Sequence, residues 1–390
     1  MSPPDLDAFR GQCRAFLEQH AAGSAPNGLE EDPRGGAALT VARDFQHKRF
    51  DAGLAGLTIP REYGGQGLGP DHERVWREEA ARYHLMTEEL SISLGNCLPV
   101  ILEFGTDIQK RRHVQAAISG RQVFCQLFSE PEAGSDVASV RTRATPDGDG
   151  WRVTGQKVWT TLAHVAEYGI VLARTDPSAS KHGGLTMFIV DFHQAGVEIR
   201  PIHQIDGGMH FNEVFFDDVV LDADAVIGPV GEGWRVATAM MRHQRVARGT
   251  GQASGILHEH ADRLIAEARA RGRNEDPPLR QELAALYTAE VCRSLVALRT
   301  RAALDAGQPP GPGGSLPKLA GALIGARFRD LAFEVVGPEA VAWEADSGGD
   351  WARDALFMVS LSISGGTSEI QRNIIGERVL ELPREPRSPG

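Results

Sequence analysis

The sequence predicts an α+β chain with an N-terminal α-helical domain, a central antiparallel β-barrel or sandwich, and a C-terminal helical bundle. Three observations lead there. Residues 6–120 carry helical segments broken by glycine and proline clusters; residues 123–220 alternate short apolar runs with turn signals; and helical spacing returns from Trp234 onward. The domains are accordingly expected at 1–122, 123–230 and 231–382, with a tail at 383–390.

In the first domain the helical pattern is clearest over 6–20, 39–52 and 72–83. The stretch from Ile59 to Gly67, IPREYGGQG, is too rich in glycine for a regular element and reads as a loop. Strands are expected at 123–128, 139–144, 151–153, 170–173, 185–190, 197–202 and 213–220, with Asp147-Gly148 as a hairpin signal. In the third domain Leu279, Leu283, Leu286, Val291, Leu295 and Leu298 form an apolar stripe broad enough for a bundle. The run 308–314, QPPGPGG, cannot be helical and separates that helix from the next, expected at 316–336.

With 390 residues and a formal net charge of -11, the chain can bury a large core and is a poor match for a nucleic-acid backbone or an anionic membrane surface. Cys13, Cys97, Cys125 and Cys292 show neither CxxC nor Cys/His spacing, so neither a zinc site nor a disulfide framework is expected. The amino terminus lacks a basic run and an apolar core, and no stretch has the length of a membrane span; a cytoplasmic protein is expected.

Three motifs carry possible chemistry. Residues 360–380 read SLSISGGTSEIQRNIIGERVL, in which Gly365 and Gly366 leave the backbone bare ahead of Thr367, Ser368 and Glu369. Such a helix start suits a phosphate or cofactor, and equally an ordinary entrance capped by Thr367 or Ser368. Residues 126–136, QLFSEPEAGSD, leave a strand-like run; Ser129 and Ser135 offer hydroxyls, Pro131 sets a turn, and Gly134 permits close approach of a ligand. By itself this is also a plain turn. Residues 155–161, GQKVWTT, place the Trp159 indole two residues from Thr161, suited to covering a flat heteroaromatic ring, with a core tryptophan as the alternative.

Taken in this order, the helical segment, QLFSEPEAGSD, GQKVWTT, the helical bundle and GGTSEIQRNIIGERVL resemble the acyl-CoA dehydrogenase family over nearly the whole chain. The resemblance implies a C-terminal four-helix bundle, with FAD held between it and the β domain and across a subunit contact. It also implies homodimers or tetramers, an acyl-CoA or acyl-carrier thioester as substrate, and an electron-transfer flavoprotein as partner. Carried over by motif, Gln126, Phe128 and Ser129 lie along the flavin, Ser135 near the FAD pyrophosphate or the CoA, and Trp159 with Thr161 against the isoalloxazine ring. Thr367 and Glu369 meet the dinucleotide end. Arg271 and the turn from Glu334 to Gly337 reach the FAD of a neighbouring subunit, although the family usually has Gln at position 334 and a longer loop after Arg271.

In the family reaction a carboxylate removes the α-proton of an acyl thioester while the β-hydrogen leaves as hydride to flavin N5. Many members carry that glutamate directly before Gly-Thr-Ser of the C-terminal motif, where this chain has Gly365. The isovaleryl-CoA dehydrogenases supply it from a bundle helix directly before an arginine, where this chain has Gln244 before Arg245. Glutamine keeps the shape and is no general base near neutral pH. Gln244 and Gly365 therefore mark the two positions from which the expected base is missing.

Three readings of that absence stand. The chain is a non-catalytic subunit of a mixed assembly with a homologous chain; it runs a monooxygenase or oxidase reaction; or Gln244 is an introduced replacement. His243 points about 100° away from Gln244 on a helix and reads as a structural or surface residue. His210 and Asp206 are further candidate bases. Arg245 is expected to orient the substrate or CoA end, with a bundle salt bridge as the alternative.

Overall fold

In the computed structural model, residues 5–21, 36–83, 85, 87–250, 259–308, 311–342 and 349–384 are described. Contacts divide the chain into two units, Met1–Gln244 and Arg245–Gly390.

In the first unit, helices α1 (Leu6–His20), α2 (Gly36–Asp51) and α3 (Pro70–Ala80) bury Phe9, Phe16, Leu17, Phe45, Val75 and Trp76 in one core. Glu79 joins α3 to α1: its carboxylate lies 2.6 Å from Arg10 and 2.8 Å from Arg14, and Arg82 approaches at 3.2 Å. The hydrogen bond from Arg14 outweighs burial and, with Arg10, pulls the Glu79 carboxyl down to about 2. The expected loop at 59–67 contains a single tight turn, Arg61–Tyr63. Gly65 is required there, because a Cβ would sit 2.2 Å from the Ile59 carbonyl. Helices α4 (Leu98–Phe104) and α5 (Asp107–Ile118) follow, the latter opened by a reciprocal cap between Thr106 and Gln109.

Eight strands make the central sheet: β1 (Phe124–Leu127), β2 (Arg143–Asp147), β3 (Gly150–Thr161), β4 (Tyr168–Arg174), β5 (Leu185–Asp191), β6 (Val197–Pro201), β7 (Phe211–Leu221) and β8 (Val226–Ile227). Their order is β6-β7-β3-β2-β4-β5-β8, with β1 on β4. Pairing is antiparallel as expected except where β4 meets β1 and β2, which are parallel to it. On β4, Ile170 and Leu172 join a core with α4 and α5, while Val171 and Ala173 join a second core with Val153, Val214 and Phe216. Both faces of β4 and β5 are thus covered, which is why they read as unbroken apolar runs.

Two expected strands differ. The run at 139–144 begins its strand only at Arg143, because residues 137–139 form a tight turn and the Glu130 carboxylate takes the amides of Arg141 (2.6 Å) and Thr142 (2.9 Å). The short strand expected at 151–153 runs on to Thr161 and carries the GQKVWTT motif itself. Helix α6 (Gly233–Thr250) closes this part of the chain.

In the second unit, α7 (Glu259–Ala270), α8 (Pro277–Asp305), α9 (Ser315–Val336) and α10 (Gly349–Ser360) share one core built on Leu264, Leu279, Leu286, Phe328, Leu331 and Trp351. A short helix, α11 (Ser368–Ile374), follows. The apolar stripe expected on α8 does not continue as drawn: burial passes from Leu279, Leu283 and Leu286 to Glu290, Ser294 and Ala297, leaving Leu295 half exposed. Burial follows the partner helices rather than apolarity. The carboxylate of Glu290 accepts from His260 Nδ1 (2.8 Å) and the Ala261 amide (2.9 Å), so this buried acid caps the start of α7. Of the expected tail, residues 385–390 lie outside the described residues.

Candidate functional site

The residues of the first unit assemble where the loop after β1 meets β3. Strand β3 pairs with β7 as Lys157 with Val214 and then Thr160 with Asn212, three steps on one strand against two on the other. This bulge inserts one residue and turns the next side chain to the opposite face. Without it Trp159 would share the inward face of Val153 and Lys157. With it, Trp159 adopts φ 60° and stands 58% exposed, its ring edge-on to Phe211 at 6.0 Å between centroids. The core-tryptophan alternative is therefore excluded by the backbone.

The bulge is held from below. Asn212, fully buried, donates through Nδ2 to the carbonyls of Thr160 (3.0 Å) and His210 (3.2 Å), and its Oδ1 lies 3.0 Å from His164 Nδ1. Thr161 is half-buried and pairs with Phe211.

The facing loop is tied to β3 at three points. Val158 N–H donates to the Ser129 carbonyl (2.9 Å), and Lys157 Nζ donates to the Phe128 carbonyl (3.1 Å) and to Glu130 Oε1 (2.8 Å). Burial pushes the Lys157 ammonium down to about 8, against the opposing pull of Glu130. Burial also raises Glu130, yet the Lys157 charge and the hydrogen bonds from Lys157, Thr142 and Arg141 overcome it and hold the carboxyl below its usual range. The Phe128 side chain is buried in the core, Gln126 accepts from Asn96 Nδ2 at 3.2 Å, and Ser135 is exposed. Beyond Ser135 a groove of about 510 Å³ is lined by Ser139, Arg141, Arg143, Arg174 and Lys181. Lys181 is held by Asp136 at 2.6 Å and Arg174 by the carbonyls of Ala138 and Gly183, both at 2.7 Å.

Among the base candidates of this unit, His243 Nε2 lies 3.0 Å from Glu103, which also takes Arg242 at 3.2 Å. His210 is packed on Phe211 at 4.4 Å, and burial lowers its pKa below the usual histidine value. Asp206 accepts the Gly208 amide at 2.9 Å within its own loop. Gln244 is half-buried on α6, and the side chain of Arg245 lies outside the described residues.

In the second unit Arg271 is engaged within its own chain. Its guanidinium meets Glu267 (2.5 Å), Glu339 (2.6 Å) and the Val336 carbonyl (3.1 Å), and the Glu267 and Glu339 hydrogen bonds raise its pKa. Arg273 donates to the carbonyl of exposed Glu334, and Gly337 ends α9 at φ 76°. The glycine pair is a separate cluster: Gly365 (φ 67°) and Gly366 (φ 91°) present their carbonyls to Gln371 Nε2 at 3.1 and 3.3 Å. Thr367 caps α11 by accepting the Ile370 amide at 3.3 Å, and exposed Glu369 is held below the usual carboxyl range by its own amide and the Thr367 hydroxyl.

Models of the acyl-CoA dehydrogenase N-terminal, middle and C-terminal domains match residues 3–121, 125–219 and 231–380. Acyl-CoA dehydrogenase IpdE1 of Mycobacterium tuberculosis is 39% identical over 383 residues, 98% of this chain and 99% of its own. The chain belongs to the acyl-CoA dehydrogenase family. Membership makes it one of a family of flavoprotein oxidoreductases acting at CH–CH bonds. Among solved structures, a protein described as the Tcur3481-Tcur3483 steroid ACAD is 25% identical with a TM-score of 0.80, each chain covered to 99%. The ChsE4-ChsE5 complex of Mycobacterium tuberculosis is 26% identical with a TM-score of 0.77, again covering 99% of both chains. Among the described residues no helix is long and apolar enough to cross a membrane.

Sequence reasoning missed Asn212, Glu130 and the basic groove. One signal was available: Lys157 falls on the inward parity of Val153, and a lysine there requires a buried anion.

Proposed function

We propose that this chain binds FAD and an acyl thioester and takes part in α,β-dehydrogenation as one subunit of an assembly whose homologous partner supplies the α-proton base. The observation that carries FAD binding is Trp159, turned out of the sheet by a bulge beside the Ser129 loop and left 58% exposed at a positive φ. A large aromatic held outward against strain is expected where a flat ring covers it. Gln126, Ser129, Trp159 and Thr161 would hold the flavin, and Thr367 with Glu369 would meet the dinucleotide end. FAD, when bound, accepts the β-hydrogen and its electron pair.

Arg143, Arg174 and Lys181 line a groove suited to the phosphates of CoA. The partner reading rests on Gln244 and Gly365, neither of which can take a proton. Two solved relatives whose descriptions name two chains, Tcur3481-Tcur3483 and ChsE4-ChsE5, add support for a mixed assembly. An electron-transfer flavoprotein is the proposed acceptor.

The deciding experiment is the visible spectrum of the purified chain during anaerobic addition of acyl-CoA thioesters, alone and with any homologous chain that co-purifies. Bleaching only with the partner is expected. Bleaching by the chain alone assigns it a base of its own, with Asp206 and His210 as candidates, and rapid reoxidation by oxygen favours an oxidase or monooxygenase.

A further inference from the structure

We propose that Lys157 is a positioning residue for the flavin cradle, fixing the Phe128–Ser129 peptide so that the Ser129 N–H faces outward as a hydrogen-bond donor. The inference rests on the FAD reading above. Lys157 is completely buried, and its ammonium donates to the Phe128 carbonyl at 3.1 Å and to Glu130 at 2.8 Å. In a trans peptide the C=O and the following N–H point in opposite directions, so drawing the Phe128 oxygen inward sends the Ser129 N–H outward. The Ser129 N–H has no acceptor among the described residues, while the Ser129 carbonyl is taken by Val158 at 2.9 Å.

The other partners complete the device. Glu130 also accepts the amides of Arg141 and Thr142, so the buried carboxylate is satisfied and neither charge is stranded. A buried ion pair of this kind is seldom the most stabilising choice for a core, and well-packed apolar side chains serve stability as well or better. What the ammonium does that an apolar side chain cannot is grip one carbonyl. By polarising that peptide it also makes the Ser129 N–H a stronger donor. Because Lys157 lies two residues before Trp159, the same side chain registers the loop against the strand that presents the indole.

The test uses the full chain as it purifies, with three readouts: thermal unfolding without flavin, the FAD dissociation constant, and the visible band of bound flavin. The double variant Lys157→Met with Glu130→Gln removes both charges and avoids leaving a buried carboxylate unpaired. It leaves the Phe128 carbonyl and one of the two loop amides without a partner, so it is expected to melt below the wild type while still folding, bind FAD about tenfold more weakly and show a shifted band. Lys157→Arg, which retains a cation, is expected to recover the band at least in part, and it carries the test if the double variant does not fold. A double variant with altered melting but unchanged FAD affinity and spectrum would show that the pair is structural only, overturning the inference. A wild-type chain that takes up no FAD overturns the FAD reading and this inference with it.

Discussion

The side-chain amide of Asn212 donates to the main-chain carbonyl of Thr160 over 3.0 Å, directly beneath the bulge that turns Trp159 outward. Asn212 is fully buried and its Oδ1 lies 3.0 Å from His164 Nδ1, so truncation removes three buried side-chain contacts, although the His210 carbonyl keeps the Leu162 amide at 2.7 Å. Asn212→Ala is expected to destabilise the chain by about 1–3 kcal/mol and to weaken FAD retention. Chemical denaturation and flavin content measure the two effects separately; loss of stability with full flavin retention would detach the clamp from the site.

Trp159→Ala is expected to act the other way round. The side chain is 58% exposed and contributes little to the core, so stability should change by no more than about 0.5 kcal/mol. FAD retention should fall clearly. Unchanged flavin content and an unchanged visible spectrum would place the ring elsewhere.

Acid sensitivity should trace to Glu79. Its folded pKa is depressed from 4.5 to about 2, so its contribution is fully present above pH 4.5 and is lost as the pH falls toward 2. Glu79→Gln removes that dependence. The stability gap between wild type and variant, read from urea melts, should be about 1–3 kcal/mol near pH 6 and should close between pH 4.5 and 2. A gap that stays constant across this window would remove Glu79 as the titrating group.

Gln244→Glu should restore a base on α6. If the thioester reaches that position, anaerobic bleaching by acyl-CoA should accelerate by about 10²-fold or more. Gly365→Glu is expected to be the poorer rescue, because residue 365 sits at φ 67°, where a side chain costs about 1–2 kcal/mol. Stopped-flow absorbance of the flavin band distinguishes the two, and no gain from either would show that the α-carbon of the thioester reaches neither position of this chain.

Much of the architecture was legible in the sequence because it depends on local pattern. Helix α1 has the bounds its spacing predicts, the apolar runs of β4 and β5 announce strands buried on both faces, and QPPGPGG separates α8 from α9. The order of three motifs was enough to indicate the family. Tertiary structure alone decided the rest. Period-two alternation from Val153 through Lys157 assigns Trp159 to the core, and only the register of β3 against distant β7 turns it outward. The Lys157–Glu130 pair joins residues 27 apart that carry no mutual signal along the chain. On α8 the buried face passes from leucines to Glu290 and Ser294 because α7 offers Glu290 the main-chain amide of Ala261 and the His260 ring, which no apolar periodicity encodes. Sequence pattern states which surfaces prefer burial; the partner that packs against each surface determines which side chains are buried and which are left facing outward.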